Sequence, residues 1–228
     1  MLDNLDILFY LLFIPNMLFA LSIHEFSHAG SAYVLGDDTA ALEGRVSLNP
    51  LVHIDPLGLI AFFIIHFGWA KPVPVNPSRM GNPRRDNLLV SLAGPGSNLV
   101  LGVLLLLVAR MLLGGADPTG KTMKMVLGLV FIGAQLNIGL CFFNLIPIPP
   151  LDGGHILEAL LPPELGRKLE PYLQYGPYIF IGLIFASVFL GWRIFAYIII
   201  LPMYLVMEAV LGNQALGFLI RNLDQFQI

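Results

Sequence analysis

The sequence predicts an all-α polytopic membrane protein, with five to six transmembrane helices and short β-like or re-entrant loop segments between them. Three observations carry this expectation. Of 228 residues, 57% are hydrophobic and only 12% are charged, whereas an ordinary globular chain is about 25% charged. The apolar residues collect into long runs, several reaching the roughly 20 residues that a helix needs to cross a bilayer. No polar stretch is long enough to build a soluble domain, so residues 1–228 read as a single membrane-embedded domain.

The first apolar run extends from Leu5 to Leu35. Pro15 lies inside it and can kink a membrane helix without ending it. Gly36-Asp37-Asp38 closes the run, and Arg45-Val46-Ser47-Leu48 then alternates like a short strand before Asn49-Pro50 turns the chain. Leu57 to Trp69 is apolar but, at about thirteen residues, falls short of a full span. Lys71 to Pro77 is extended, because Pro72, Pro74 and Pro77 forbid a helix. Leu88 to Leu113 spans, and so does Met123 to Leu145, which ends against Pro147, Pro149 and Pro150. Tyr172 to Leu190 and Ile194 to Leu211 form a final pair around Gly191-Trp192-Arg193.

Charge tests the topology. With Leu57–Trp69 re-entrant, Arg45, Lys71, Arg79, Arg84, Arg85, Arg167, Lys168 and Arg221 share one side of the membrane. Arg110, Lys121, Lys124 and Arg193 share the other. Eight of the twelve basic residues then mark the cytoplasmic side, which puts the N-terminus outside. If Leu57–Trp69 spans instead, the split is five to seven and decides little. The same re-entrant arrangement brings the C-terminal half of the first span and the end of Met123–Leu145 to one face. The net charge of −3 says nothing useful about partners, and no basic cluster points to nucleic acid, so none is expected. The single cysteine, Cys141, excludes a disulfide within the chain and reads as a small buried residue. Met1 to Asp6 is acidic, so no cleavable signal peptide is expected.

The chemistry is concentrated at His24-Glu25-Phe26-Ser27-His28. Histidines at i and i+4 stand one turn apart on one face of a helix, where both can ligate one metal ion. The glutamate between them can poise a water for attack on a carbonyl. Ionisable side chains at membrane depth are costly and mark function. A catalytic zinc site takes a third protein ligand, and Asp152 is the best candidate. It follows a proline-broken span end, where irregular backbone is tolerated only beside protein or a water-filled cavity. The competing reading of Asp152 is an N-cap for a helix beginning near Gly154. Gly94-Pro95-Gly96 is expected to permit close helix contact, and Asn98 to bond between helices. His66 and His155 read as structural.

These residues lie within longer motifs. His-Glu-Phe-Ser-His at His24–His28 is followed by GRVSLNPLVHIDP at Gly44–Pro56 and GWAKPVPV at Gly68–Val75. LAGPGSN stands at Leu92–Asn98 and FNLIPIPPLDGG at Phe143–Gly154. With them the chain resembles the site-2 protease family of intramembrane zinc metalloproteases, in its compact form without a PDZ or CBS domain. The resemblance covers most of the chain and implies one zinc ion per chain, with His24, His28 and Asp152 as metal ligands and Glu25 as the catalytic base. It implies cleavage of transmembrane segments of other membrane proteins within the lipid bilayer; the charge count places the site of this multi-pass cell-membrane protein as opening toward the cytoplasm. Residues 5–170 would be the core, and the C-terminal pair within 171–212 a gate. A helical substrate must unwind to be cut, and Arg45–Leu48 and Val73–Val75 could pair with it by strand addition or simply pack as loops. Asn144 either donates to the scissile carbonyl or its oxyanion or bonds backbone freed by Pro147 and Pro149. His53 either orients the site or is a surface loop histidine.

Two other functions compete. A membrane metal transporter would use the same ligands but should show inverted repeats, and the sequence has none. A catalytically silent relative that only binds membrane partners is disfavoured by the complete set of ligands and base. The substrate's identity and the oligomeric state are not written in the sequence.

Overall fold

The computed structural model describes residues 4–65, 68–115 and 120–223. Its helices are α1 (Asn4–Val34), α2 (Thr39–Leu42), α3 (Pro56–Ile65), α4 (Pro83–Gly115), α5 (Lys121–Asn144), α6 (Asp152–Leu160), α7 (Pro163–Leu173), α8 (Gly176–Phe189), α9 (Leu201–Leu211) and α10 (Asn213–Leu223). There is no strand among the described residues, and one isolated antiparallel bridge joins Ile54 to Ala70. The chain divides into two compact units. One holds residues 1–20, 98–142 and 195–228, the other residues 21–97 and 143–194.

In the first unit, Leu106, Leu127, Phe131, Ile138, Met207, Leu216 and Leu219 form the buried core. Pro15 does not interrupt α1. Next to it, Asn16 donates from Nδ2 to the carbonyls of Leu12, one turn back, and of Leu129 on α5, which ties the two helices together. Gly133 of α5 makes room for that asparagine, since a Cβ there would lie 2.6 Å from Asn16 Oδ1. Asn98 bonds between helices as expected. It donates to Ala20 O at 3.1 Å and to Asn137 Oδ1 at 2.8 Å.

In the second unit, α4 begins with a reciprocal cap. Asn82 Oδ1 accepts from Arg85 N while Asp86 Oδ2 accepts from Asn82 N, satisfying donors that a helix start leaves open. The end of α1 turns through Gly36, whose φ of +104° suits glycine. Asp37 then locks the turn. Its carboxylate accepts from Thr39 N, Thr39 Oγ1 and Asn76 N. Burial pushes the Asp37 pKa up, but these hydrogen bonds and the charge of Arg79 outweigh it and hold the carboxyl below its ordinary value. A depressed carboxylate stabilises above its unfolded pKa, and that contribution disappears as pH falls through the folded value. Asp37→Asn should therefore be less stable than wild type near pH 7, with the difference shrinking below about pH 4. Detergent unfolding curves across pH 3–7 measure this, and a pH-independent difference would contradict it.

Two sequence expectations are corrected here. Arg45–Leu48 is not a strand. Two of its donors are spent locally, Arg45 N on Ala40 O and Ser47 N on Arg45 O. The run Tyr172–Leu190 is also not one continuous helix. Tyr172–Leu190 breaks between α7 and α8, where Pro177, lacking an N–H, starts a new helix. Ile194–Leu211, by contrast, is helical throughout, with a π-helical stretch at Ala196–Ile200 ahead of Pro202, and just past it, at Gly212 with φ +78°, α9 bends by 115° into α10. Among the described residues, α1, α4 and α5 are long and apolar enough to cross a membrane, and the bent pair would make four. The protein is thus a multi-pass helical membrane protein.

Candidate metal centre

α1 presents His24 and His28 one turn apart, as their spacing requires, and both are buried. His28 Nδ1 lies 2.8 Å from the carbonyl oxygen of Val90 on α4. A carbonyl only accepts, so Nδ1 carries the proton, and the neutral ring turns a lone pair outward at Nε2. That Nε2 lies 3.0 Å from His24 Nε2. Asp152, the first residue of α6, closes the triangle, with Oδ2 3.2 Å from His24 Nε2 and Oδ1 3.3 Å from His28 Nε2.

The local sequence explains why the aspartate arrives there. After α5 the prolines at 147, 149 and 150 keep the chain irregular up to Leu151. Gly153 and Gly154 then let α6 start hard against it. A Cβ at Gly153 would lie 2.6 Å from Ile146 C, and one at Gly154 would lie 2.7 Å from Pro149 N. Asp152 makes no side-chain cap bond; Leu151 occupies the cap position. The N-cap reading is therefore not what the structure shows. Beneath the rings, Gly94 of α4 leaves the space that a side chain would fill. A Cβ there would lie 2.7 Å from His24 Cε1 and would also meet His28 Nε2.

The residues present fit a zinc ion. Tetrahedral ligands at about 2.0–2.1 Å stand roughly 3.3–3.4 Å apart, close to the 3.0 Å between the two Nε2 atoms and the 3.2–3.3 Å from each of them to one Asp152 oxygen. Apart from the facing His24 Nε2, Asp152 Oδ2 is buried without a hydrogen-bond partner, a costly state for a carboxylate oxygen unless a cation faces it. Among the described residues, His24, His28 and Asp152 are the His, Cys, Asp or Glu side chains that converge in this way. Glu25 is not among them. Its side chain is 9% exposed and close enough for its charge to act on His28.

His53 is not among the converging side chains. His53 is not a surface residue: it is 2% exposed. Its Nε2 donates to Ser47 O at 2.7 Å, and its carbonyl accepts from Lys71 N, because the loop folds back on itself at the Ile54–Ala70 bridge. Asn144 is the half-buried last residue of α5. His155 is exposed, Cys141 is buried as expected, and His66 lies outside the described residues. Sequence reasoning missed Val90, because a backbone carbonyl has no residue signature. It read Gly94 as a helix contact without naming the imidazoles that the contact accommodates.

The sequence of this chain matches Peptidase family M50 over residues 12–188. "Putative zinc metalloprotease YwhC" of Bacillus subtilis is 40% identical over 169 residues, covering 74% of this chain and 77% of that protein. "Putative zinc metalloprotease Rip2" of Mycobacterium tuberculosis is 37% identical over 189 residues, covering 80% and 70%. "Zinc metalloprotease MJ0392" of Methanocaldococcus jannaschii is 34% identical over 84 residues, covering 37% and 22%. No solved structure matches the chain significantly. With most of its length inside the family match, the chain belongs to Peptidase family M50.

Proposed function

We propose that this protein is an intramembrane zinc metalloprotease that hydrolyses peptide bonds in transmembrane segments of other membrane proteins. The observation that carries the reading is the triangle of His24, His28 and Asp152 on a membrane helix and the adjoining α6. The family match supports it. His24, His28 and Asp152 would hold the zinc. Bound there, zinc supplies Lewis acidity toward a carbonyl and lowers the pKa of a water to about 7.

The chain's own residues supply the rest. Val90 fixes the tautomer of His28 through its carbonyl. Glu25, one residue from His24 and outside the ligand set, takes the proton of the attacking water and passes it to the leaving amine. Asn144 would donate to the scissile carbonyl or its oxyanion, with His53 as a further positioning group. The substrate segment must unwind first, since its carbonyls are otherwise bonded to its own amides. Cleavage of a membrane-tethered reporter that survives replacement of Glu25 would refute this reading.

We read residues 1–228 as one metalloprotease domain, because the family match runs through both compact units, with the C-terminal pair within 171–212 as a gate. The five-span topology is part of the proposal. It is supported by the Ile54–Ala70 pairing, which brings the two ends of the Leu57–Trp69 segment together, as a re-entrant loop requires. Gly58 permits the close return, since a Cβ there would meet Trp69 N at 3.0 Å. The N-terminus would then lie outside and the site would open to the cytoplasm. Cysteines at Glu43 and Gly120, both exposed, in a chain with Cys141 replaced, should react with impermeant reagents from opposite sides. Reaction from the same side would eliminate this topology.

A further inference from the structure

We infer that Arg84 is a positioning residue for the metal centre, acting by holding the far end of the helix that carries Asp152. The inference rests on the metal-site reading above. α6 runs only from Asp152 to Leu160, and helices so short have little stability of their own. Its last carbonyls have no partner within the helix. Arg84, in the first turn of α4, fills that gap: its Nε donates to Ala159 O at 2.8 Å and its Nη2 donates to Leu161 O. A guanidinium at a helix C-terminus is also favoured by the helix dipole.

The two helices have matching lengths at this contact. On α4, Arg84 and Gly94 are separated by about 15 Å at 1.5 Å per residue, and on α6 Asp152 and Leu161 by about 14 Å. Gly94 abuts the imidazoles that Asp152 faces. α6 is therefore pinned to α4 at both ends, at one end through the histidines and at the other through Arg84. α4 also carries Val90, which orients His28. One helix thus fixes the histidine side of the triangle and, through Arg84, the angle from which the carboxylate approaches. Releasing Arg84 frees α6 to pivot about its glycine-rich start, so Asp152 no longer meets both imidazoles at once.

The test is zinc affinity of the purified full-length protein, measured by competition with a chromophoric chelator. Direct partners of metal ligands change affinity by about 10–100-fold. Arg84 acts one step further out, so Arg84→Ala should weaken zinc binding about three- to tenfold while the thermal unfolding midpoint stays near wild type. Arg84→Lys keeps the charge but not the paired donors and should fall between the two. It also serves if the alanine variant folds poorly. Arg110→Ala is the matched control: it removes a comparable bond, from Nη1 to Val210 O, in the other compact unit, and should leave zinc affinity unchanged. Wild-type affinity in both Arg84 variants, or an equal loss in Arg110→Ala, would overturn the inference. Failure of the wild-type protein itself to bind zinc would overturn the metal-site reading and this inference with it.

Discussion

Glu25→Gln should leave zinc content and fold at the wild-type level while peptide cleavage falls by a factor of about 10² or more. The substitution keeps the size and polarity of the side chain and deletes only its ability to take a proton. Glu25 lies outside the cluster of converging ligand atoms, so losing its charge removes no ligand. It is buried next to His24 and near His28, so an amide there still packs. What is lost is the group that carries a proton from the attacking water to the leaving amine. A peptide amine is a poor leaving group unless it is protonated as the bond breaks, which is why the effect is large. The readout is cleavage of a membrane-tethered reporter by purified protein, with zinc counted in the same sample. Wild-type cleavage in Glu25→Gln would refute the mechanism. A loss of zinc would show that Glu25 is a ligand.

What the sequence made legible follows from how locally each feature is encoded. His24 and His28 lie four residues apart on one helix, so helical periodicity alone places both rings on one face. Asp152 was legible for a different reason: a carboxylate after a run of prolines at membrane depth needs a cation, and the histidine pair needed a third ligand. The long helices α1, α4 and α5 were legible from length and hydropathy, with ends within a few residues of those expected except at the start of α4. There, Asn82 and Asp86 extend the helix through a polar first turn that an apolar count ignores.

The rest depended on bonds between distant segments. The carbonyl of Val90 on His28, and the bonds of Arg84 to Ala159 and Leu161, join residues 62 to 77 positions apart. Such bonds involve backbone atoms, which no residue pattern marks. The surface-loop alternative for His53 could not be dismissed for the same reason, because its burial depends on Lys71 and Ala70 folding back across the loop. The breaks at Pro177 and Gly212 were visible as residues. Whether a proline or glycine ends a membrane helix depends on its neighbours, as the uninterrupted passage of α1 through Pro15 shows.

Asp152→Ala should remove zinc and activity together, with affinity falling by at least about 10², beyond the range for residues that only support a ligand. Two neutral imidazoles would remain, and the site would lose the one negative charge that offsets the cation among the converging atoms. In a setting of low dielectric that charge matters more than it would in water. Asp152→Asn keeps the shape and one weak oxygen donor, so it should retain more metal than the alanine variant but less than wild type. The structure also decides the control. From the sequence, Asp37 or Asp38 would be chosen as acidic residues with no part in the site. Asp37, however, anchors the end of α1 to the segment at Asn76, so its removal disturbs the helix that carries both histidines. Glu164 on α7 is exposed and is the better choice: Glu164→Ala should keep both zinc and activity. Zinc counted per purified chain is the deciding measurement, because activity alone cannot separate a lost ligand from a displaced one. Full zinc occupancy in Asp152→Ala would mean that another group completes the site, and the approach of Asp152 to the two imidazoles would then be an ion pair rather than ligation.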